Sequence, residues 1–194
     1  MRRKTFDTLM TSGGLLVALL LLVAGGLLSW GSSFVTNQVH DQLAAQKIFF
    51  PPKGDATADP RIGPFVDKYA GKQLLTGAQA GVYADHYIAV HLADISGGKT
   101  YAELSTASRA APEDLKLAGQ VQTVFRGETL RGLLLNAYAF GTMGRIALYA
   151  AIASFVGAAL LLILSLLGFA HLRRVNPAEV VLEGARRAPT PLAV

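Results

Sequence analysis

The chain has 194 residues, of which 52% are hydrophobic and 16% charged, with a formal net charge of +5 and no cysteine. So few charges cannot solvate the surface of an ordinary soluble domain of this length. The lack of cysteine excludes disulfides, thiolate chemistry and cysteine lipidation as ways of holding or anchoring it.

The basic N-terminus, Arg2, Arg3 and Lys4, precedes an uncharged run from Leu9 to Trp30, "LMTSGGLLVALLLLVAGGLLSW". As a helix this run reaches roughly 33 Å, enough to cross a hydrocarbon core of about 30 Å. It exceeds the roughly 7 to 15 apolar residues of a cleaved signal and lacks a convincing small-x-small cleavage site, so it reads as an anchor. Gly13-Gly14 and Gly25-Gly26 lie within it, and small residues in a membrane helix serve close helix approach. Trp30 suits the membrane interface.

Beyond Trp30, Val35, Val39 and Leu43 keep one apolar stripe at four-residue spacing, so the helix is expected to continue. Gln38, Gln42 and Gln46 form a second stripe, which reads as a solvated face or as a polar lumen or interface. Pro51 and Pro52 are expected to end the helix, and "PPKGDATADPRIGP" has the composition of a loop. Helical signals resume at Pro64. Thr76 to Gln79 fits a capping box whose helix runs to Ile95, with "SGG" as its stop. Thr100 to Glu103 is a second box, opening a short helix towards Ala110. In "APEDLK" Pro112 is expected at a first helical position, with Glu113 and Asp114 where the helix dipole favours acids. From there one helical pattern continues into a second uncharged run, Ile146 to Phe169, with Gly119, Gly127, Gly132, Gly141 and Gly144 as possible bends.

The organisation expected is therefore all-α: residues 1–8 a cytoplasmic N-terminus, 9–30 a membrane helix, 31–145 an extracytoplasmic helical domain on a helical stalk, 146–169 a second membrane helix and 170–194 a cytoplasmic tail. Orientation follows the flanking basic residues, with Arg173 and Arg174 joining the N-terminal three on the cytoplasmic side. Residues 31–145 hold six Lys and five Arg against seven Asp and three Glu, so the excess charge sits in the tails. It is a topology signal, and nucleic-acid binding does not follow from it. Arg145 marks the outer membrane surface, which leaves "LLLNAYAFGTMG", Leu133 to Gly144, as apolar helix needing cover from the first helix or another subunit. In the second run Ala150, Ser154 and Ala158 repeat every four residues, flanked by Ala153 and Gly157. With Gly25 and Gly26 they form the expected helix-packing set. In the tail, Asn176-Pro177-Ala178-Glu179 is a helix start, and "RRAPTPLAV" is expected to be disordered.

Few residues point to chemistry. In "FRGETLRG", Glu128 and Arg131 are three apart and pair on a helix, about 20 Å along it from Arg145. No nucleophile, base and orienting group accompany them, so the group reads as a structural ion pair of the stalk. In "DHYIAVHLAD", His86 and His91 are five apart, which on an α-helix turns their rings about 140° from each other, against the i, i+4 spacing of a zinc helix. Asp94 stands three after His91, but both histidines read as surface or packing residues. His40 and His171 are isolated. No catalytic, cofactor-binding or metal residue is assigned, and no cofactor is expected.

The stretches "LLVAGGLLSWGSSFV", "QKIFFPPKGDA", "YAGKQLLTGAQA", "YADHYIAVHL", "GGKTYAEL" and "GQVQTVFRGETLRGLLLNAYAFGTMGRIALYAA" resemble a family of actinobacterial two-pass membrane proteins of unknown function. The resemblance covers nearly the whole chain outside the C-terminal tail and implies topology and bacterial class. Such proteins often carry the label aromatic ring-opening dioxygenase, but extradiol enzymes need an iron site, commonly two histidines and a carboxylate, and no catalytic residue carries over. The expectation is thus a non-enzymatic cell-membrane protein, with both termini cytoplasmic. The bilayer and copies of itself, or a larger envelope complex, are its expected partners. An extracytoplasmic small-molecule sensor and a pore subunit are the alternatives.

Overall fold

The computed structural model describes residues 2–174, so the expected tail helix at Asn176 and the closing segment "RRAPTPLAV" lie outside the described residues. Those described are helical, with no strand among them beyond one isolated bridge between Phe49 and Gln73. Two long helices dominate: α1, Arg3–Gln46, and α6, Leu115–Leu172. Each is long and apolar enough to cross a membrane, with mean hydropathy of 2.2 and 2.5 over the best window, and only 17% of each window is buried within the chain. Contacts divide the chain into one unit of Met1–Ser29 and Tyr149–Val194 and another of Trp30–Leu148.

In the first unit the two helices pack antiparallel through small residues. A Cβ placed on Gly168 would meet Thr11 Oγ1 at 2.6 Å, on Gly14 it would meet Ser165 Oγ at 2.9 Å, on Gly157 Leu21 at 3.3 Å, and on Gly25 the Phe155 ring at 2.9 Å. Within this unit the buried positions of α1 are Thr11, Ala18 and Gly25, every seventh residue. Those of α6 in the same unit are Ala151, Ala158 and Ser165, again every seventh. A strict seven-residue repeat is the signature of a left-handed coiled-coil seam. The expected four-residue stripe therefore needs correction. Ala158 is buried and Ala150, Ser154 and Gly157 are half-buried, but Ala153 is exposed and Ala151 takes the central place. Gly26 likewise lies off the seam: no described heavy atom comes within 4 Å of a Cβ built on it. The cause is the 3.5-residue period of a supercoiled seam, which a fixed spacing of four leaves after one or two turns. Ser154 Oγ donates to the Ala150 carbonyl at 2.8 Å, so this hydroxyl is satisfied within its own helix.

The second unit is built on the remaining parts of α1 and α6. Ser32 Oγ donates to the Gly144 carbonyl at 2.8 Å, a buried bond between the two helices. α1 ends at Gln46, before the prolines, with Lys47 left-handed at φ 52°. The stop comes four residues earlier than Pro51 implied because Ile48 to Phe50 run extended against Lys72 to Leu74, with Phe50 N–H donating to Lys72 and Leu74 N–H to Ile48, both at 2.9 Å. Gln73 Nε2 donates at 2.9 Å to the Ala44 carbonyl at the end of α1, which also accepts from Lys47 N–H. This brings Phe50 into the core with Val39, Leu43, Ile62, Val66, Leu74, Ala80, Ala84 and Leu134. Its ring lies edge-on to Tyr83, 5.2 Å between centroids, and tilted on Tyr69 at 5.0 Å.

Short helices complete this unit: α2, Gly63–Val66; α3, Gly77–Tyr83; α4, Ala89–Ser96; and α5, Tyr101–Ala110. Both capping boxes form, Thr76 with Gln79 and Thr100 with Glu103. α3 passes into α4 through a π turn, Ala84–Ile88, and Gly97 and Gly98, at φ 62° and 78°, stop it. Pro112 and Glu113 form a turn and do not open a helix. Asp114 is the cap instead, accepting from Leu117 N–H at 2.9 Å, because its short carboxylate can reach that amide whereas Ala111, which would cap a helix opening at Pro112, has no side-chain acceptor. Three of the α6 glycines named as possible bends, Gly127, Gly141 and Gly144, serve contact instead, while Gly119 and Gly132 have no described neighbour within 4 Å. The Gly127 position faces Leu92, Gly141 faces Gly77, and Gly144 faces Thr36, and the helix is continuous through all of them.

The tightest approach is at Gly77, where a Cβ would lie 2.6 Å from the Ala137 carbonyl oxygen and 3.1 Å from Gly141 Cα. Backbone cannot step aside as a side-chain tip can. Gly77→Ala should destabilise the protein by about 1–3 kcal/mol in thermal unfolding, since it overpacks this contact. Gly132→Ala, at a position with no neighbour within 4 Å, should be neutral or stabilising by roughly 0.5–1 kcal/mol, through the ordinary helix preference for alanine. Equal melting temperatures for the two variants would contradict the contact.

Candidate functional site

Between α1 and α6, within the second unit, lies an open groove of about 550 Å³. Buried Val39 and Leu43 form its floor with Val35 and Ala137, and Phe34, Leu133 and Phe140 stand exposed at its edges. Gln38, Gln42 and Gln46 line it from α1 and Asn136 from α6. The α1 stripe arises because residues four apart share a helix face. The glutamines stand beside the apolar stripe of Val35, Val39 and Leu43, so one face enters the core and its neighbour enters the groove. All four amides are exposed, and none has a hydrogen-bond partner among the described residues. None of the lining side chains carries a charge. The groove can therefore bind through apolar contact and amide hydrogen bonds, and supplies no nucleophile or proton-transfer group of its own.

The titratable residues singled out in the sequence lie elsewhere and are separately engaged. His86 stacks on Phe65, centroids 3.6 Å apart and planes 6° from parallel. His91 Nδ1 is 2.8 Å from the Tyr87 carbonyl and its ring tilts on that of Tyr87. The π turn widens the helix at His86, so an ideal α-helical angle does not describe the pair, and their different partners direct the two rings. Asp94 is held by Arg61, at 3.1 and 2.9 Å. Among the described residues no group of three or more histidines and carboxylates comes together in a metal-holding arrangement. Glu128 and Arg131 are 3.4 Å apart, and Arg131 also reaches Asp85 at 3.1 Å, a partner 46 residues away that helix spacing could not indicate. His40 lies against Asp41 at 3.2 Å.

The Arg61 guanidinium grips both Asp59 and Asp94 and so ties the loop before α2 to α4. The hydrogen bond from the Arg61 side chain, then that from its backbone N–H, holds the Asp59 carboxyl at about 2, below its usual 3.8. The chain matches no family model, and no curated protein or solved structure was found to be similar to it.

A carboxylate with a depressed folded pKa stabilises the fold above its unfolded value and loses that contribution as pH falls through the folded one. The difference in melting temperature between the protein and its Asp59→Asn variant should thus be constant above about pH 5 and close as pH falls from there, through the unfolded value of 3.8, to about 2. A difference that widened over this interval would contradict the pairing.

Proposed function

We propose that the chain is a non-enzymatic two-pass membrane protein whose helical unit Trp30–Leu148 faces outward and acts as an assembly module, joining copies of the chain or docking on a larger envelope complex. The membrane reading is supported by how little of the apolar helices the chain itself covers. Leu16, Leu19, Leu20, Val23 and Leu27 of α1, and Leu160, Ile163, Leu164, Leu166 and Leu167 of α6, are all exposed. The core helix of a soluble protein is mostly buried, and exposed apolar surface this extensive needs lipid or a partner. Orientation rests on Arg2, Arg3, Lys4, Arg173 and Arg174. The kinship with actinobacterial two-pass proteins belongs to the same reading and rests on the sequence stretches alone.

The single observation that carries the assembly role is the groove, where a continuous apolar floor and four unpaired amides lie open side by side. A second reading, a sensor binding a small neutral molecule, is favoured by the groove's volume, which falls within the range of about 300–1,000 Å³ of ligand pockets.

The protein extracted in mild detergent should weigh, after subtraction of detergent, a multiple of 20.5 kDa or that of a complex with other chains. A stable monomer would contradict the assembly role. Single cysteines, easily read in a chain that has none, place the unit: Ala58→Cys should react with an impermeant thiol reagent in intact cells and Thr190→Cys should not, and the reverse pattern would invert the topology.

A further inference from the structure

We infer that the occupant of the groove is the groove of a second copy of this chain, the two related by a two-fold axis along the membrane normal, with Gln38, Gln42 and Gln46 each meeting its own counterpart. The inference rests on the assembly reading above and names its partner. A primary amide both donates and accepts hydrogen bonds, so a row of amides is complementary to an identical row, which a row of carboxylates or ammoniums is not. A two-fold interface demands such self-complementarity, because one patch must serve both sides. The groove meets it in three ways. Its lining is uncharged, its amides are unpaired within the chain, and its apolar edges, Phe34, Leu133 and Phe140, are exposed and ready to cover the equivalent floor.

The membrane then fixes the register. Two copies inserted in the same sense have parallel α1 helices, so an antiparallel dimer, in which Gln38 would face Gln46, is excluded. In the parallel arrangement like residues approach the axis at 38, 42 and 46. Thr36 and His40 line a different hollow with Gly77 and Arg145, on the other side of α1, and stay away from the axis.

Disulfide trapping of the full-length protein in its own membranes tests this directly. Gln38→Cys, Gln42→Cys and Gln46→Cys are substitutions at exposed positions and leave the core untouched. A disulfide forms only where the Cα atoms come within about 7 Å. Under mild oxidation these three variants should yield covalent dimers, while Thr36→Cys and His40→Cys should remain monomeric on non-reducing gels. When Gln38→Cys and Gln46→Cys chains are co-expressed, no mixed 38–46 dimer should form.

Crosslinking at 36 and 40 in place of 38, 42 and 46, in a protein that still weighs a homo-oligomer, would overturn the inference and leave assembly standing through another face. A complex containing a different protein, with no like-to-like disulfide, would overturn it in favour of a hetero-partner. A monomer that retains a small molecule would overturn both this inference and the assembly reading.

Discussion

The structure depends on how closely two helices can approach. Along the first unit nothing larger than alanine, serine or threonine occupies the seam's centre: Thr11, Ala18 and Gly25 on α1 against Ala151, Ala158 and Ser165 on α6. In lipid there is no hydrophobic gain from bringing two helices together, because the acyl chains are as apolar as leucine. Association then relies on van der Waals contact over a close backbone approach and on hydrogen bonds. Small residues every seventh position supply the first. The larger side chains are displaced to the outside, where Leu16, Leu20, Leu160 and Leu164 are exposed.

The same logic explains the groove. Gly144 still lets α6 meet Ser32 and Thr36 closely, and Ser32 bonds to its carbonyl. Further from that contact, the facing residues are Phe34, Gln38, Gln42 and Gln46 on α1 and Leu133, Asn136 and Phe140 on α6, too large for such an approach, and a groove lies between the helices. On its other flank α6 is engaged by α3, where Gly77 fits against Ala137 and Gly141, and Gly81 against the Tyr138 ring. Leu134, buried in the core, is fixed by that packing, while Leu133 is left at the groove's edge. An apolar helix that the sequence requires to be covered is thus covered on one side only, and the uncovered side is where assembly is proposed.

Much of this was readable from local chemistry. The capping boxes at Thr76 and Thr100, the glycine stop after Ser96, the two apolar runs and the glutamine stripe all rest on spacings within one element. What escaped depends on pairings between elements. Lys47 ends α1 because Phe50 must turn into a core shared with Tyr69 and Tyr83, which no local signal records. The helix opens after Asp114 and not at Pro112 because Asp114 supplies a capping acceptor and Ala111, ahead of Pro112, does not. The four-residue stripe of Ala150, Ser154 and Ala158 stood where a seven-residue repeat governs, and the small residues of α1 at 11, 18 and 25 were the signal that could have shown it. Gly77 and Gly81, four apart on the face that meets α6, were equally visible as a small-residue pair. Asp85 and Asn136, by contrast, acquire their roles from residues far away in sequence.

The close-approach seam makes adjacent glycines unequal. A Cβ on Gly25 would press on the Phe155 ring at 2.9 Å, whereas Gly26 has no described neighbour within 4 Å. Thermal unfolding of Gly25→Leu and Gly26→Leu in detergent measures the constraint directly. Gly25→Leu should lose about 1–3 kcal/mol as an overpacked contact, while Gly26→Leu, directed away from the seam, should match the parent protein. Equal losses at the two positions, or a loss at Gly26 alone, would contradict the seam and the account built on it.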